Sequence, residues 1–91
     1  MQNKTHYANG QIISILENNL MTLFFQNGVI KARGEYRNNL MEGQWFFYRK
    51  NGDLWQIGHY KNGMKDGNFV RYDSNGVMEY NENFSNNTKI K

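Results

Sequence analysis

Cysteine and proline are both absent from this chain of 91 residues. Without cysteine there is no disulfide, no thiolate metal ligand and no cysteine nucleophile, and a reducing compartment, the cytoplasm, is the expected location. Without proline, turns must draw their positive φ angles from asparagine and glycine. Long apolar runs are missing too. No stretch approaches the roughly 20 residues that cross a bilayer as a helix. The segment before Glu17 has no continuous apolar run, so a secretory leader is not expected. Nor is there a block of one charge: eleven basic and eight acidic residues are interspersed, for a net charge of +3. Such a balance keeps a protein soluble without requiring nucleic acid. The length allows one domain, residues 1–91, hiding only roughly 60 to 65% of its potential surface, so its own core is expected to be thin.

What is present is a repeat. Asn27-Gly28 returns as Asn51-Gly52 and Asn75-Gly76, 24 residues apart each time. In the same frame Gly34 returns as Gly58, Tyr36 as Tyr60 and Phe84, Gly43 as Gly67, Trp45 as Phe69, and Phe24 as Tyr48 and Tyr72. The units read as 10–33, degraded, then 34–57 and 58–81, then a partial unit and polar tail over 82–91. The first is placed by matching Gly10 to Gly34 and Leu16 to Leu40. Terminal repeats have one neighbour only and are expected to be atypical. The stretch IISILENNLMTLFF within it supports a strand pair or a short helix equally.

Each unit carries two turn signals. Asn-Gly suits a type I′ hairpin, where both central residues take positive φ. The wider segments Asn38 to Gly43 and Asn62 to Gly67 end on a glycine suited to a left-handed or bulged position. Between the turns, Ile30, Ala32, Gly34 and Tyr36 alternate with Lys31, Arg33 and Glu35, and Leu54, Gly58 and Tyr60 repeat the phase with Gln56 intruding. One sheet face is therefore apolar. In Gln44-Trp45-Phe46-Phe47-Tyr48 both faces carry large apolar groups, and only a bulge would turn Trp45 and Tyr48 to one side. The expected fold is all-β: repeated antiparallel hairpins, about six strands, in a single-layer twisted meander whose hydrophobic face needs a cover.

The order Gly34, Tyr36, Gly43, Trp45, Tyr48, Asn51-Gly52, then Gly58, Tyr60, Asn62-Gly63, Gly67, Phe69, Tyr72, Asn75-Gly76, resembles the bacterial variant of the MORN repeat. The likeness covers about residues 24 to 84. It departs at Asn39, where the next copy has Gly63, and at Glu82, where a unit-opening glycine stands elsewhere. The resemblance implies a non-catalytic structural or protein-binding module, often labelled antitoxin-like in bacteria.

The repeat-framework residues Gly34, Tyr36, Gly43, Trp45, Tyr48, Gly52, Gly58, Tyr60, Gly67, Phe69, Tyr72 and Gly76 are assigned to packing and turns. Candidates for partner binding are the large residues that break the repeat: Trp55, whose copies are Lys31 and Glu79, and Phe46 and Phe47, whose copies are Val70 and Arg71. The expected partner is a protein or a second copy of the chain. Nucleic acid, through Arg33, Arg37, Arg49, Lys50, Lys61, Lys65 and Arg71, ranks below it because Glu35, Glu42, Asp53, Asp66 and Asp73 interrupt the positive field. An anionic membrane ranks lower still, as no basic amphipathic helix is evident. No catalytic, cofactor or metal residues are assigned. His6 and His59 have no cysteine partner, Ser74 is explained by its turn, and the glycine spacing is not a phosphate-binding loop.

Overall fold

The computed structural model describes residues 5–90; the first four residues and the last of the expected domain lie outside them. Among the described residues there is no helix, and the chain forms one open antiparallel sheet of nine strands. These are β1 (Ser14–Glu17), β2 (Leu20–Phe24), β3 (Ile30–Arg37), β4 (Leu40–Tyr48), β5 (Leu54–Lys61), β6 (Met64–Lys65), β7 (Gly67–Tyr72), β8 (Met78–Ser85) and β9 (Thr88–Ile90). They follow sequence order across the sheet, with the two-residue β6 pairing β5 beside β7. The stretch open to strand or helix is the β1–β2 hairpin. Antiparallel neighbours joined by tight turns explain the meander, and nine strands replace the expected six because the chain also pairs at both ends of the repeat. A surface of 6447 Å² exceeds the roughly 5500 Å² of a compact monomer of this mass, as a single layer must.

The two turn signals exchange geometries relative to expectation. Both central residues take positive φ at Asn18-Asn19, Asn38-Asn39, Asn62-Gly63 and Asn86-Asn87, which makes these the type I′ hairpins. At Asn27-Gly28, Asn51-Gly52 and Asn75-Gly76 only the glycine is left-handed. There Phe25 O accepts from Gly28 N at 2.9 Å and Phe25 N donates to Val29 O at 2.8 Å, a type I turn closed by a glycine bulge. Asparagine is used in the first two as a side-chain acceptor: Asn27 Oδ1 takes Val29 N and Asn51 Oδ1 takes Asp53 N. Gly43 (φ 66) and Gly67 (φ 122) hold the left-handed positions expected of them.

In the first unit the turns depart from the 24-residue frame. Gly10 closes the same bulged turn on Tyr7 that Gly28 closes on Phe25, so its counterpart is Gly28, not Gly34. Likewise Leu20, not Leu16, follows its turn as Leu40 does. Met21 pairs with Gly34 as Trp45 pairs with Gly58, and Leu20 with Glu35 as Gln44 with His59, so β2 keeps the 24-residue frame while the turn before it comes four residues later than in the next unit.

Register divides the side chains between two faces. Gly34, Trp45, Gly58, Phe69 and Glu82 form one cross-strand row, with Ala32, Phe47, Gln56, Arg71 and Tyr80 beside it. The Trp45 ring fills the space over Gly34 and the Phe69 ring that over Gly58, so close that a Cβ at either glycine would overlap the ring. Trp45 and Phe69 are thereby buried to 1% exposure without a second layer. Rings of the next row pack against Phe69: Tyr60 lies 5.3 Å from it, edge-on, and Phe84 lies 5.2 Å from it. The opposite face carries Arg33, Phe46, Ile57, Val70 and Asn81. Each unit has one extra residue, Lys31, Trp55 or Glu79, where a bulge interrupts the ladder. That bulge moves Ile30, Leu54 and Met78 off the glycine face, correcting the simple alternation read from sequence.

Successive units are also joined through their turns. Gly63 N donates to Met41 O at 3.0 Å and Asn62 N to Glu42 Oε1 at 3.0 Å; one unit on, Asn87 N donates to Lys65 O at 2.9 Å and Asn86 N to Asp66 Oδ1 at 3.3 Å. Glu42 and Asp66 occupy the same repeat position, and each caps the turn of the following unit.

Candidate functional site

Of the three candidate residues, the structure brings two to one face and turns the third away. Phe46 and Phe47 are adjacent in β4, whose own register is unbroken from Gly43 to Phe47, so they point to opposite faces. The expected Phe46/Phe47 patch is therefore two separate sites. Phe47 lies 6.2 Å from Trp45 and 6.4 Å from Tyr60, centroid to centroid, on the glycine face. Phe46 lines a shallow concavity of about 470 Å³ on the other face with Leu20, Arg33, Gln44 and Tyr48. The same parity places Trp45 and Tyr48 on opposite faces.

Trp55 is the unpaired bulge residue of β5. Its indole is half-buried and stacks against the guanidinium of Arg71, whose Cζ lies 4.8 Å from the ring centroid. On the other flank Tyr80 offers its ring to the same guanidinium at 4.9 Å. Since β7 lies between β5 and β8, Arg71 is held between rings supplied by its two neighbouring strands. Its Nε donates to Gln56 Oε1 at 2.7 Å, and Gln56 is only 6% exposed. The amide that intrudes on the apolar phase in sequence thus has a physical reason: it fixes the plane of Arg71. Desolvated cation–π contacts contribute up to about 2 kcal/mol, and two rings plus a hydrogen bond leave the arginine little freedom.

Sequence reasoning treated Arg71 as one of several scattered cations. The signal was its repeat position: it replaces Phe47 one unit on, directly beside the tryptophan that replaces Lys31. Of the other cations, Arg49 reaches the residue next to it, its Nη2 donating to Tyr72 O at 2.9 Å, and the rest lie elsewhere. Arg37 pairs with Glu35, Lys89 with Glu82 at 3.0 Å, and Arg33 is on the opposite face. Lys65 lies on the same face but over Phe69 and Phe84, 5.2 and 4.9 Å from their centroids. Tyr60, in the middle of this face, has its phenol pKa raised by burial.

The histidines serve local contacts. His59 Nδ1 approaches Asn68 O at 3.3 Å, and His6 Nδ1 approaches Thr5 Oγ1 at 2.8 Å. Among the described residues no group of three or more His, Asp or Glu side chains is arranged to hold a metal ion.

With the glycine and ring rows and two turn columns in place, the comparison with known families is decisive: the model of the MORN repeat variant matches residues 17–38, 41–62 and 65–86. The chain belongs to the MORN repeat variant family. The three matched MORN segments start 24 residues apart and cover most of the sheet, from the end of β1 to the turn before β9. No curated protein and no solved structure matches the chain. MORN repeats generally mediate protein or membrane interactions, and the MORN sheet is typically a non-catalytic repeat module.

Proposed function

We propose that this MORN protein is a non-catalytic protein-docking module, and that it docks through the glycine face, where Trp55 and Tyr80 flank Arg71 and Phe47 lies beyond Gln56. The observation that carries the reading is the Trp55–Arg71–Tyr80 stack. Tryptophan, arginine and tyrosine are the residue types that dominate binding energy at protein interfaces, most of all when they are held in place before the partner arrives. A protein partner accounts for this better than a membrane or nucleic acid. Both of those require a connected basic surface, and here the cations are separated, ring-stacked or paired with acids. The antitoxin-like role is the special case in which the bound partner is a toxic protein.

The experiment is capture of the native protein from its own cells, with the molar mass and composition of the complex determined. A stoichiometric protein partner supports the reading and names the pathway. A nuclease-sensitive complex without such a partner contradicts it. Recovery only as a homomer assigns the face to self-assembly.

A further inference from the structure

We propose that Arg71 is a preformed site for a carboxylate, supplied by an acidic side chain in an otherwise apolar polypeptide segment laid across the glycine face. This deepens the docking reading and rests on it.

Three features of the arginine point to that ligand. Its orientation is set before binding, by the two flanking rings and by Gln56 Oε1 at Nε. Its terminal amino groups, which form the forked end of the guanidinium, take no hydrogen-bond partner among the described residues. Among the described residues no carboxylate lies within 4.0 Å of it, although Glu79 stands exposed at the bulge next to Tyr80. A fixed, planar, unpaired fork matches the two oxygens of a carboxylate, and the match adds both strength and direction.

The surroundings select a carboxylate on a peptide rather than a phosphate chain. Next to Arg71 the face is Trp55 and Tyr80, with Phe47 beyond Gln56, Phe69 in the adjoining row and Tyr60 packed against Phe69. The one acid of that row, Glu82, is already paired with Lys89. Of the neighbouring cations, Lys65 is stacked on Phe69 and Phe84, and Arg49 is bonded to Tyr72 O. The face is therefore apolar with isolated positive points. A phosphodiester backbone needs several cations in line; a segment with one acid and flanking apolar residues needs one. Charge complementarity and ring area then act on the same short ligand.

The test is selection of a random peptide display library against the full native chain. The selected peptides are then synthesised with each Asp or Glu, and with the matching Asn or Gln. The expected result is that the selected peptides share an acidic residue whose conversion to the amide weakens binding to the wild type by about tenfold or more. The same conversion should have little effect on Arg71→Gln. Arg71→Lys, which keeps the charge but not the fork, should bind between the two. Circular dichroism and urea melts accompany each variant, and Arg71→Lys keeps the comparison usable if Arg71→Gln is unfolded. Peptides that bind the face without a common acid, or that bind Arg71→Gln as tightly as wild type, would overturn the carboxylate site and leave the docking reading intact. A folded protein that selects no peptide would remove both. Selection of no acidic peptide, with Arg71-dependent binding of a single-stranded oligonucleotide, would reassign the site to phosphate.

Discussion

Gly34 and Trp45 face each other across β3 and β4, and the indole occupies the volume that a Cβ on residue 34 would need. The same relation holds one unit on between Gly58 and Phe69. This is how a single-layer sheet hides two large rings almost completely: each lies flat on the backbone of the preceding strand, where glycine leaves room.

Gly34→Ala and Gly58→Ala should therefore each destabilise the fold by about 1 to 3 kcal/mol, the usual cost of overpacking. Urea denaturation measures it. Gly58→Ala combined with Phe69→Leu should cost less than the sum of the two single changes, because the smaller side chain vacates the contested volume. Strict additivity would show that the ring does not rest on the glycine.

The bond from Asn62 N to Glu42 Oε1, and its copy from Asn86 N to Asp66 Oδ1, tie each turn to the previous unit. Glu42→Ala should cost about 0.5 to 1.5 kcal/mol and should speed hydrogen exchange at the Asn62 amide. Glu42→Asp should restore less than wild-type protection, since the shorter side chain must reach the same amide. Unchanged exchange at Asn62 would contradict the cap.

Turn geometry gives a contrast between two asparagines. Asn39 has φ 64, a left-handed conformation that asparagine tolerates through local side-chain hydrogen bonding and alanine does not, so Asn39→Ala should cost about 1 kcal/mol. Asn39→Gly reproduces the Asn62-Gly63 turn and should be at least as stable as wild type. Asn51 is outside the left-handed region and acts through its side chain on Asp53 N at 2.9 Å. Asn51 Nδ2 also donates to Asp53 Oδ2 at 3.1 Å, so Asn51→Asp should be destabilising in the wild type and tolerated beside Asp53→Asn, while the asparagine at 39 is replaceable mainly by glycine. Thermal melts separate the cases, as 1 kcal/mol moves the midpoint of a domain this size by about 4 to 8 °C.

The exchange between these two turns marks the limit of what residue patterns reveal. Asn-Gly at 27–28, 51–52 and 75–76 marks three of the bulged turns, the one at Asn9-Gly10 being a fourth, but the pair is equally compatible with a type I′ hairpin; side-chain acceptance by Asn27 and Asn51 decides between them. Gly34, Gly58, Trp45 and Phe69 were legible as a framework because they recur in register. In the first unit β2 keeps the 24-residue spacing, Leu20 with Gln44 and Met21 with Trp45, while the turns at Asn9-Gly10 and Asn18-Asn19 fall outside it, so residue matching aligns the strand but not its turns. At the candidate site, Trp55 was visible as a break in the repeat. Its partner Arg71 was not, because the bulge that turns Trp55 toward Arg71 is a property of pairing between strands. Phe46 and Phe47 looked like one patch for the opposite reason: adjacency in sequence is separation across a sheet.

Burial raises the Tyr60 pKa above its ordinary value of 10.0. With the folded value above the unfolded one, the native state holds its proton longer. The associated stability is fully present below pH 10 and is lost as pH rises through the folded pKa. Absorbance titration should show one of the six tyrosines ionising later than the rest, and Tyr60→Phe should abolish that late step. A titration of Tyr60 at or below the ordinary value would contradict its desolvated position between Phe47 and Phe69.

The measurement that bears most directly on the docking reading is a three-way capture from the protein's own cells with wild type, Trp55→Ser and Phe46→Ser as bait, each shown to be folded. Trp55 and Phe46 lie on opposite faces, so the two variants probe the two sides of one sheet. Loss of the protein partner with Trp55→Ser and its retention with Phe46→Ser is the result expected of docking through the glycine face. Retention with Trp55→Ser and loss with Phe46→Ser would place the interface on the other side and contradict the account.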